Sequence, residues 1–242
     1  MEQDFKGKTV LVTGAGWGIG AATALLYAAC GAKVIVSDTS RKGGKTTLTK
    51  IKNQKGNATY INADVSDQAA CEELIKRTIQ TYGSIDIACN NSAVFCDTLH
   101  PADGGMGSFD DQAGLNLSSL NNCMQFEIEA MQKQPGGVII NTLSILGAIG
   151  PASLSQYIEA KYGTAILPHD IPGTSPAIHI HTIAPSFIAT ALLKGRLQKK
   201  MEGKIKLFPM NMHGTIQEVA RLILWLSSDE SPQMSTVSND TN

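Results

Sequence analysis

Short apolar runs alternate with helical patterns along most of the chain, and this alternation restricts the possible folds more than any other feature. Six runs rich in β-branched residues predict strands at residues 9–13, 33–37, 59–62, 85–89, 138–142 and 178–184. Most of these runs are apolar on both faces, as expected for a parallel sheet covered by helices on both sides. The sequence therefore predicts an α/β fold with one doubly wound parallel sheet.

The length and composition fit one domain. The chain has 242 residues, of which 43% are hydrophobic and 17% charged, so it can bury a substantial core. Between strands, Asp67 is placed to cap a helix that continues to Gly83. No repeat or linker interrupts the pattern, so we expect a single domain over residues 1–242, with a substrate lid at about residues 186–213.

Charge and cysteine content exclude several classes of protein. The net charge of −1 gives no reason to expect a nucleic acid or an anionic membrane as a partner. No apolar stretch is long enough to span a bilayer or to act as a signal peptide at the N-terminus. The five cysteines form no C-x-x-C pair, so we expect buried free thiols and a cytoplasmic or other reducing location.

A glycine-rich stretch, "TGAGWGIG", follows the first predicted strand and opens a helix near Ile19. Glycines let the backbone turn tightly and approach a ligand closely. The free N–H groups of a helix N-terminus favour a pyrophosphate. Such a stretch is weak evidence alone, but its position between a strand and a helix is the context that a dinucleotide site requires.

Asp38, at the end of the second strand, is placed to choose the cofactor. It follows Gly20 by about the spacing at which an acid binds the adenosine ribose hydroxyls. A carboxylate there repels a 2′-phosphate, which favours NAD over NADP, and Trp17 stands where a basic residue could have served NADP. Arg41 and Lys42 lie close by, as does Lys45, and they weaken this preference. Asp38 could also be only a solvated strand-end acid.

Several ordered motifs resemble the short-chain dehydrogenase/reductase family over about residues 6–229. The glycine-rich stretch resembles the family's cofactor motif, Asp64 in "NADVSD" its acid against adenine, and "NNSA" its Asn-Asn-Ala-Gly segment. "IAPSFIAT" resembles its loop over the nicotinamide. The resemblance implies a Rossmann-type fold and an NAD(P)-dependent oxidoreductase. The cofactor-binding residues it implies are Gly14, Gly16, Trp17, Gly18, Ile19, Gly20, Asp38, Asp64, Val65, Asn91, Ser92, Ala93, Tyr157, Lys161, Pro185, Ile188 and Thr190.

Four residues fall at the family's catalytic positions: Asn116, Ser144, Tyr157 and Lys161. Tyr157 and Lys161 are four residues apart and so share one face of a helix, where the ammonium favours the phenolate form of the tyrosine. The resemblance implies that Tyr157 exchanges a proton with the substrate oxygen while hydride moves to or from nicotinamide. Ser144 would hold that oxygen, Lys161 the nicotinamide ribose, and Asn116 a water that relays protons.

The chain also departs from the family pattern. Three prolines between residues 168 and 176 interrupt the helix after Lys161, which in the family packs across a subunit interface. The resemblance implies a homo-oligomer, a tetramer or a dimer, and the prolines put its usual interface in question. Ala93 and Ser186 replace glycines, and a weak seventh strand is expected near residues 236–239. His179 and His181 could face one way and bind a metal, but no third ligand is evident and we predict no metal site.

The sequence thus predicts an NAD-dependent oxidoreductase that interconverts a small-molecule secondary alcohol and a ketone. An NADPH-dependent 3-oxoacyl reductase is an alternative. A nucleotide-binding regulator or scaffold that has lost catalysis is an alternative of another class, suggested by the same departures. The identity of the substrate cannot be read from the chain.

Overall fold

In the computed structural model, the described residues are 4–92, 114–143, 178–185, 188 and 214–231. The strands are β1 Thr9–Val12, β2 Lys33–Ser37, β3 Asn57–Ile61, β4 Ile87–Asn90, β5 Gly137–Thr142 and β6 Ile178–Ile183. The helices are α1 Gly18–Ala29, α2 Arg41–Asn53, α3 Gln68–Tyr82, α4 Ser119–Met131 and α5 Ile216–Leu226, and a π-helix at Gly114–Ser118 leads directly into α4.

The strands form one parallel sheet in the order β3-β2-β1-β4-β5-β6. From β1 the chain winds outward through β2 to β3, and then crosses back to place β4 on the other side of β1. The strand order therefore reverses between β1 and β4, whose registers pair Val10 with Ile87 and Val12 with Cys89. In open α/β sheets this reversal opens a crevice at the carboxyl ends of the strands, where ligands bind.

Two apolar layers cover the sheet and confirm the doubly wound α/β fold. One layer joins the sheet to α1, α2 and α5 and contains Tyr27, Ile51 and Ile223. The other joins it to α3 and α4 and contains Leu74 and Met131. β1, at the centre, contributes Val10 and Val12 to the first layer and Leu11 to the second, which explains why its sequence is apolar throughout.

Side-chain caps fix the ends of the helices that follow β2 and β3. The predicted cap of α3 is confirmed, because an Asp67 carboxylate oxygen accepts hydrogen bonds from the N–H groups of Ala69 and Ala70. Gly83 ends that helix in the left-handed conformation, with φ of 92°. Ser40 caps α2 by accepting from Gly43 N–H. Ser40 and Asp67 thus fix where α2 and α3 begin, and Gly83 fixes where α3 ends.

The predicted strand boundaries differ from the observed ones by at most two residues, and those of β2 agree. The fourth strand begins at Ile87 rather than Ile85, because the Gln134 side chain binds both backbone groups of Ile85, at 3.2 Å and 2.9 Å. The third begins at Asn57 rather than Thr59, since the ladder with β2 extends back to that residue. The proline-rich segment and the expected seventh strand lie outside the described residues.

The cysteines are consistent with free thiols. Cys71, Cys89 and Cys123 are buried, Cys30 is half-buried, and none of these four forms a disulfide. Within the ranges that the structure describes, no helix is both long and apolar enough to cross a membrane.

Candidate active site

The glycine-rich turn lies against the end of β4, across the point where the strand order reverses. Gly14 has φ of 60°, a conformation that other residues rarely adopt, and a Cβ on it would come within 2.9 Å of Ser92 Cα. At Gly16 a Cβ would lie 2.7 Å from an Asp38 carboxylate oxygen. The missing side chains therefore let this turn close onto both neighbouring strands, as a nucleotide-binding turn requires.

Thr13 joins the end of β1 to the segment after β4. It is the first residue of the glycine-rich stretch but is not among the predicted site residues. Its Oγ1 accepts hydrogen bonds from the N–H groups of Asn91 and Ser92, both at 3.2 Å. The hydroxyl also lies 3.5 Å from the Cys89 carbonyl oxygen. Thr13 thus fixes the segment with the predicted cofactor residues Asn91 and Ser92 against the glycine-rich turn. Its place at the strand–turn junction was the signal in the sequence.

The first turn of α1 faces the same crevice. The predicted start near Ile19 is observed at Gly18, and the preceding residue, Trp17, provides no side-chain cap. No acidic residue lies in that first turn. The free N–H groups of a helix start carry partial positive charge and attract anions. The turn through Gly20 can therefore receive a pyrophosphate.

The Asp38 carboxylate is held against the glycine-rich turn. One of its oxygens accepts from Gly16 N–H and the other from Ser40 N–H, both at 2.7 Å. The Asp38 carbonyl oxygen accepts from the Tyr60 hydroxyl at 2.9 Å and from Asn62 Nδ2 at 2.8 Å. Since each carboxylate oxygen can accept more than one hydrogen bond, Asp38 keeps capacity for ribose hydroxyls.

The Trp17 indole lies over the start of α2. Trp17 is 55% exposed, and a Cβ on Gly43 would approach two of its ring atoms to 2.8 Å, so the ring packs where only a glycine leaves room. Arg41, Lys42 and Lys45 are exposed on the same helix. The rim of the site beside Asp38 therefore combines one carboxylate, one aromatic ring and nearby cations.

The loop after β3 contains the predicted residues Asp64 and Val65. An Asp64 carboxylate oxygen accepts from the Ser66 hydroxyl at 2.6 Å and from Ser66 N–H at 3.0 Å, so part of its role is to shape this loop. Val65 is buried and lines the crevice. Asn122 on α4 fastens the loop by donating to the carbonyl oxygens of Val65 and Ser66. Nothing in the sequence singled out Asn122.

Asn116 lies in the π-helix and is 3% exposed. A π-turn changes the backbone pairing of a helix and is frequent at functional sites. Asn116 lines a small cleft together with residues from the ends of β1, β4 and β5, among them Thr13, Asn90, Ser92, Thr142 and Leu143. The structure thus brings Asn116 to the same crevice as the glycine-rich turn.

Several predicted residues lie outside the described part of the chain: Ser144, Tyr157, Lys161, Ala93 and Thr190. Ser144 directly follows Leu143, whose N–H donates to the Ile183 carbonyl oxygen at 2.8 Å where β5 ends.

Two predicted residues follow β6. Pro185 is half-buried. The Ile188 side chain packs in the core layer of α1 and α5, so any contact of Ile188 with a cofactor would come from its backbone. His179 is exposed and His181 buried, and burial, followed by the charge of His179, lowers the pKa of His181. The described ranges contain no group of three potential metal ligands.

Comparison with known proteins identifies the family. A family model described as short chain dehydrogenase matches residues 8–201. The chain belongs to the short-chain dehydrogenase family. Members of this family use NAD(P), and the relatives that match include dehydrogenases and reductases. The protein is therefore an oxidoreductase that acts on CH–OH groups.

The relatives differ in their substrates. The chain is 31% identical to a 3-oxoacyl-[acyl-carrier-protein] reductase of Thermotoga maritima over 93% of this chain and 92% of the relative. It is 29% identical to a cyclohexanol dehydrogenase of an Acinetobacter species over 96% and 92%. Among solved structures, levodione reductase superposes with a TM-score of 0.89 at 28% identity, covering 98% of this chain and 97% of that one.

Proposed function

We propose that this short-chain dehydrogenase uses NAD to interconvert a secondary alcohol and a ketone, with Tyr157 as the acid/base. The observation that carries the cofactor preference is the Asp38 carboxylate, which Gly16 N–H and Ser40 N–H hold beside the glycine-rich turn. A negative charge fixed there attracts ribose hydroxyls as hydrogen-bond donors and repels a 2′-phosphate.

The described residues fit the cofactor. The closed turn at Gly14 allows a close approach of the backbone to the cofactor. The uncapped start of α1 suits a pyrophosphate, and the Asp38 carboxylate suits a ribose. The bound nicotinamide would accept or supply the hydride. The chain would move the proton at the Tyr157 hydroxyl, hold the substrate oxygen with Ser144 and exclude water around it.

A second candidate is an NADPH-dependent 3-oxoacyl reductase. The similarity to the Thermotoga reductase supports it. The exposed cations Arg41, Lys42 and Lys45, close to Asp38 on α2, also favour it, because they could bind a phosphate. The two candidates differ in cofactor, and so Asp38 decides between them.

The test compares Asp38→Asn with Asp229→Asn, an exposed acid just after the C-terminal end of α5. Both changes remove one charge. Only Asp38→Asn should shift the ratio of NAD to NADP affinity toward NADP, by about tenfold or more, since it removes the charge opposite the 2′-phosphate. Wild-type protein that prefers NADP would favour the 3-oxoacyl reductase.

Tyr157→Phe tests the chemistry in the same assay with a panel of alcohols and ketones. Losing a general acid/base costs about 10²–10⁴-fold in rate, whereas NAD affinity should change little. A variant that keeps turnover would contradict the role of Tyr157. NAD binding without turnover of any panel member by the wild-type protein would instead favour a regulator.

A further inference from the structure

Glu127 on α4 is a carboxyl group placed among apolar side chains. It is fully buried, and its neighbours along the helix face, Cys123, Met124 and Ile128, belong to the core layer against the sheet. One carboxyl oxygen accepts from Asn90 Nδ2 at 2.9 Å. The other has no hydrogen-bond partner, and no cation pairs with the group, among the described residues. An ionised carboxylate is costly in such a place.

Asn90 also has an oxygen without a hydrogen-bond partner in the described ranges. It is the last residue of β4, and both hydrogens of its amide nitrogen are used: one toward Glu127 and one toward Asn141 Oδ1 on β5, at 3.1 Å. Its own amide oxygen is buried and has no partner within the described part of the chain. Glu127 and Asn90 therefore make one hydrogen bond and leave one oxygen each without a partner.

A proton on Glu127 would let its unpartnered oxygen and that of Asn90 bind one another. When Glu127 is ionised, the two unpartnered oxygens are both acceptors and cannot bind one another. When it is protonated, its hydroxyl becomes a donor, and the unused acceptor on its neighbour is Asn90 Oδ1. A carboxylic acid and a primary amide can then pair by two hydrogen bonds, one in each direction. Burial raises the pKa of Glu127 to about 7, against the smaller opposing effect of the Asn90 hydrogen bond.

This pair stands directly behind the candidate active site. Asn90 lines the cleft, as does Cys123, one helical turn before Glu127. The next residues after Asn90 are Asn91 and Ser92, which Thr13 fixes to the glycine-rich turn. Asn141 is paired with Asn90 in the sheet register and precedes the segment that leads to Ser144. A change at Asn90 therefore reaches both the cofactor side and the catalytic side of the crevice.

We propose that Glu127 acts as a neutral carboxylic acid paired with Asn90, a positioning residue that fixes the carboxyl ends of β4 and β5 for the cofactor. Loss of its proton removes one of the two hydrogen bonds and weakens cofactor binding. The part of this inference that concerns the cofactor rests on the proposed function, whereas the acid–amide pair does not.

The titration of Glu127 can be distinguished from that of the other titratable groups nearby. Cys123 lies on the same helix, with Cys71 of α3 in contact at 3.7 Å between the sulfur atoms, and Cys89 lies on β4. Burial raises the pKa of Cys89 to about 12, and the Cys71 contact together with burial raises the pKa of Cys123, so both stay protonated near neutral pH. On β5, Ile139 and Asn141 are uncharged. His181 on β6 has a pKa lowered by burial and becomes charged only in acid.

The experiment measures NAD affinity by calorimetry at about pH 6 and about pH 8.5, on either side of the Glu127 transition. It uses wild-type protein, Glu127→Gln, Glu127→Leu and the matched control Glu129→Gln, an exposed glutamate on the same helix. We expect wild type and Glu129→Gln to lose about tenfold in affinity at the higher pH, the effect of one lost hydrogen bond.

Glu127→Gln should keep the acid-side affinity at both pH values, because its amide can donate to Asn90 Oδ1 and accept from Asn90 Nδ2 at any pH. Glu127→Leu should bind weakly at both, because it leaves the Asn90 amide without that partner. A wild-type affinity that does not change with pH, or a Glu127→Gln variant with the same pH dependence as wild type, would overturn the proposal.

Infrared spectra provide a readout that needs neither cofactor nor turnover. The difference between wild type and Glu127→Gln at about pH 6 should contain the carbonyl stretch of a protonated carboxyl group, which disappears as the pH rises through about 7. If wild-type protein binds no NAD at either pH, the proposed function fails and this titration alone decides the pair. Absence of the band at about pH 6 would overturn the pair even if NAD binds.

Discussion

Thr13 and Glu127 are two buried polar residues that bind the carboxyl end of β4 and the residues directly after it, and they differ in how their hydrogen bonds are completed. The Thr13 hydroxyl accepts from two backbone N–H groups and needs no change of charge to do so. Glu127 has one hydrogen bond and one unpartnered oxygen among the described residues. The comparison teaches that one contact at the end of β4 is made by a neutral group at every pH, while the other depends on a proton.

The largest expected effect concerns the pH dependence of stability. The pKa of Glu127 is raised from 4.5 to about 7 on folding. Below pH 4.5 both states hold the proton and nothing is lost. Between pH 4.5 and about 7 only the unfolded chain releases it, so the free energy of unfolding falls as pH rises, by about 3 kcal/mol in total.

Glu127→Gln should remove this loss, so that its thermal unfolding midpoint exceeds that of wild type at about pH 8 and approaches it at about pH 4.5. Glu129→Gln provides the control and should follow wild type at both. An equal pH dependence in wild type and Glu127→Gln would remove the contrast with Thr13.

Thr13→Val should give the next largest effect. The change keeps the shape of the side chain but leaves the N–H groups of Asn91 and Ser92 without their acceptor, at a cost of about 2 kcal/mol. The loss should be the same at about pH 6 and about pH 8, since no group changes charge. Denaturant unfolding measures it, and Thr13→Ser, which keeps the hydroxyl, should restore most of the stability. A loss that varies with pH would break the comparison.

Tyr27→Phe should give the smallest effect. In the core layer of α1, α2 and α5, the Tyr27 hydroxyl lies 2.6 Å from Ser227 Oγ. Ser227 Oγ also donates to the Leu224 carbonyl oxygen. Burial raises the pKa of Tyr27, so the hydroxyl stays neutral. Removing it should cost about 1 kcal/mol at any pH from about 5 to 8. The control is Tyr82→Phe. Tyr82 is half-buried and its hydroxyl donates to the exposed Asn57 at 3.0 Å, so losing it should cost less in the same unfolding assay.

Much of the fold could be predicted from the sequence because its signals are local. The β-branched runs gave every strand of the described sheet to within two residues, and the Asp67 cap and the Gly83 stop both follow from single residues. The start of β4 could not be predicted, because it depends on the Gln134 side chain, far away in the sequence. Local propensity carries no information about such a partner.

The site divides in the same way. The glycine-rich turn and Asp38 were predictable because their spacing along one strand–turn–helix unit is fixed by the ligand. Asn122 was not, since its contacts with the loop after β3 arise only when α4 packs beside that loop. Glu127 was overlooked although it falls on the apolar stripe of α4, between Cys123 and Met131. A charged residue on such a stripe signals a buried polar group.

The indole of Trp17 over Gly43 gives the protein an intrinsic optical reporter. The chain has only two tryptophans, and the other, Trp225, lies on α5 in the core layer shared with α1. In a Trp225→Phe variant, tryptophan emission would come from the ring beside Asp38 alone. Dinucleotide loading could then be followed in real time, without labels, from the quenching of a single fluorophore at the rim of the crevice.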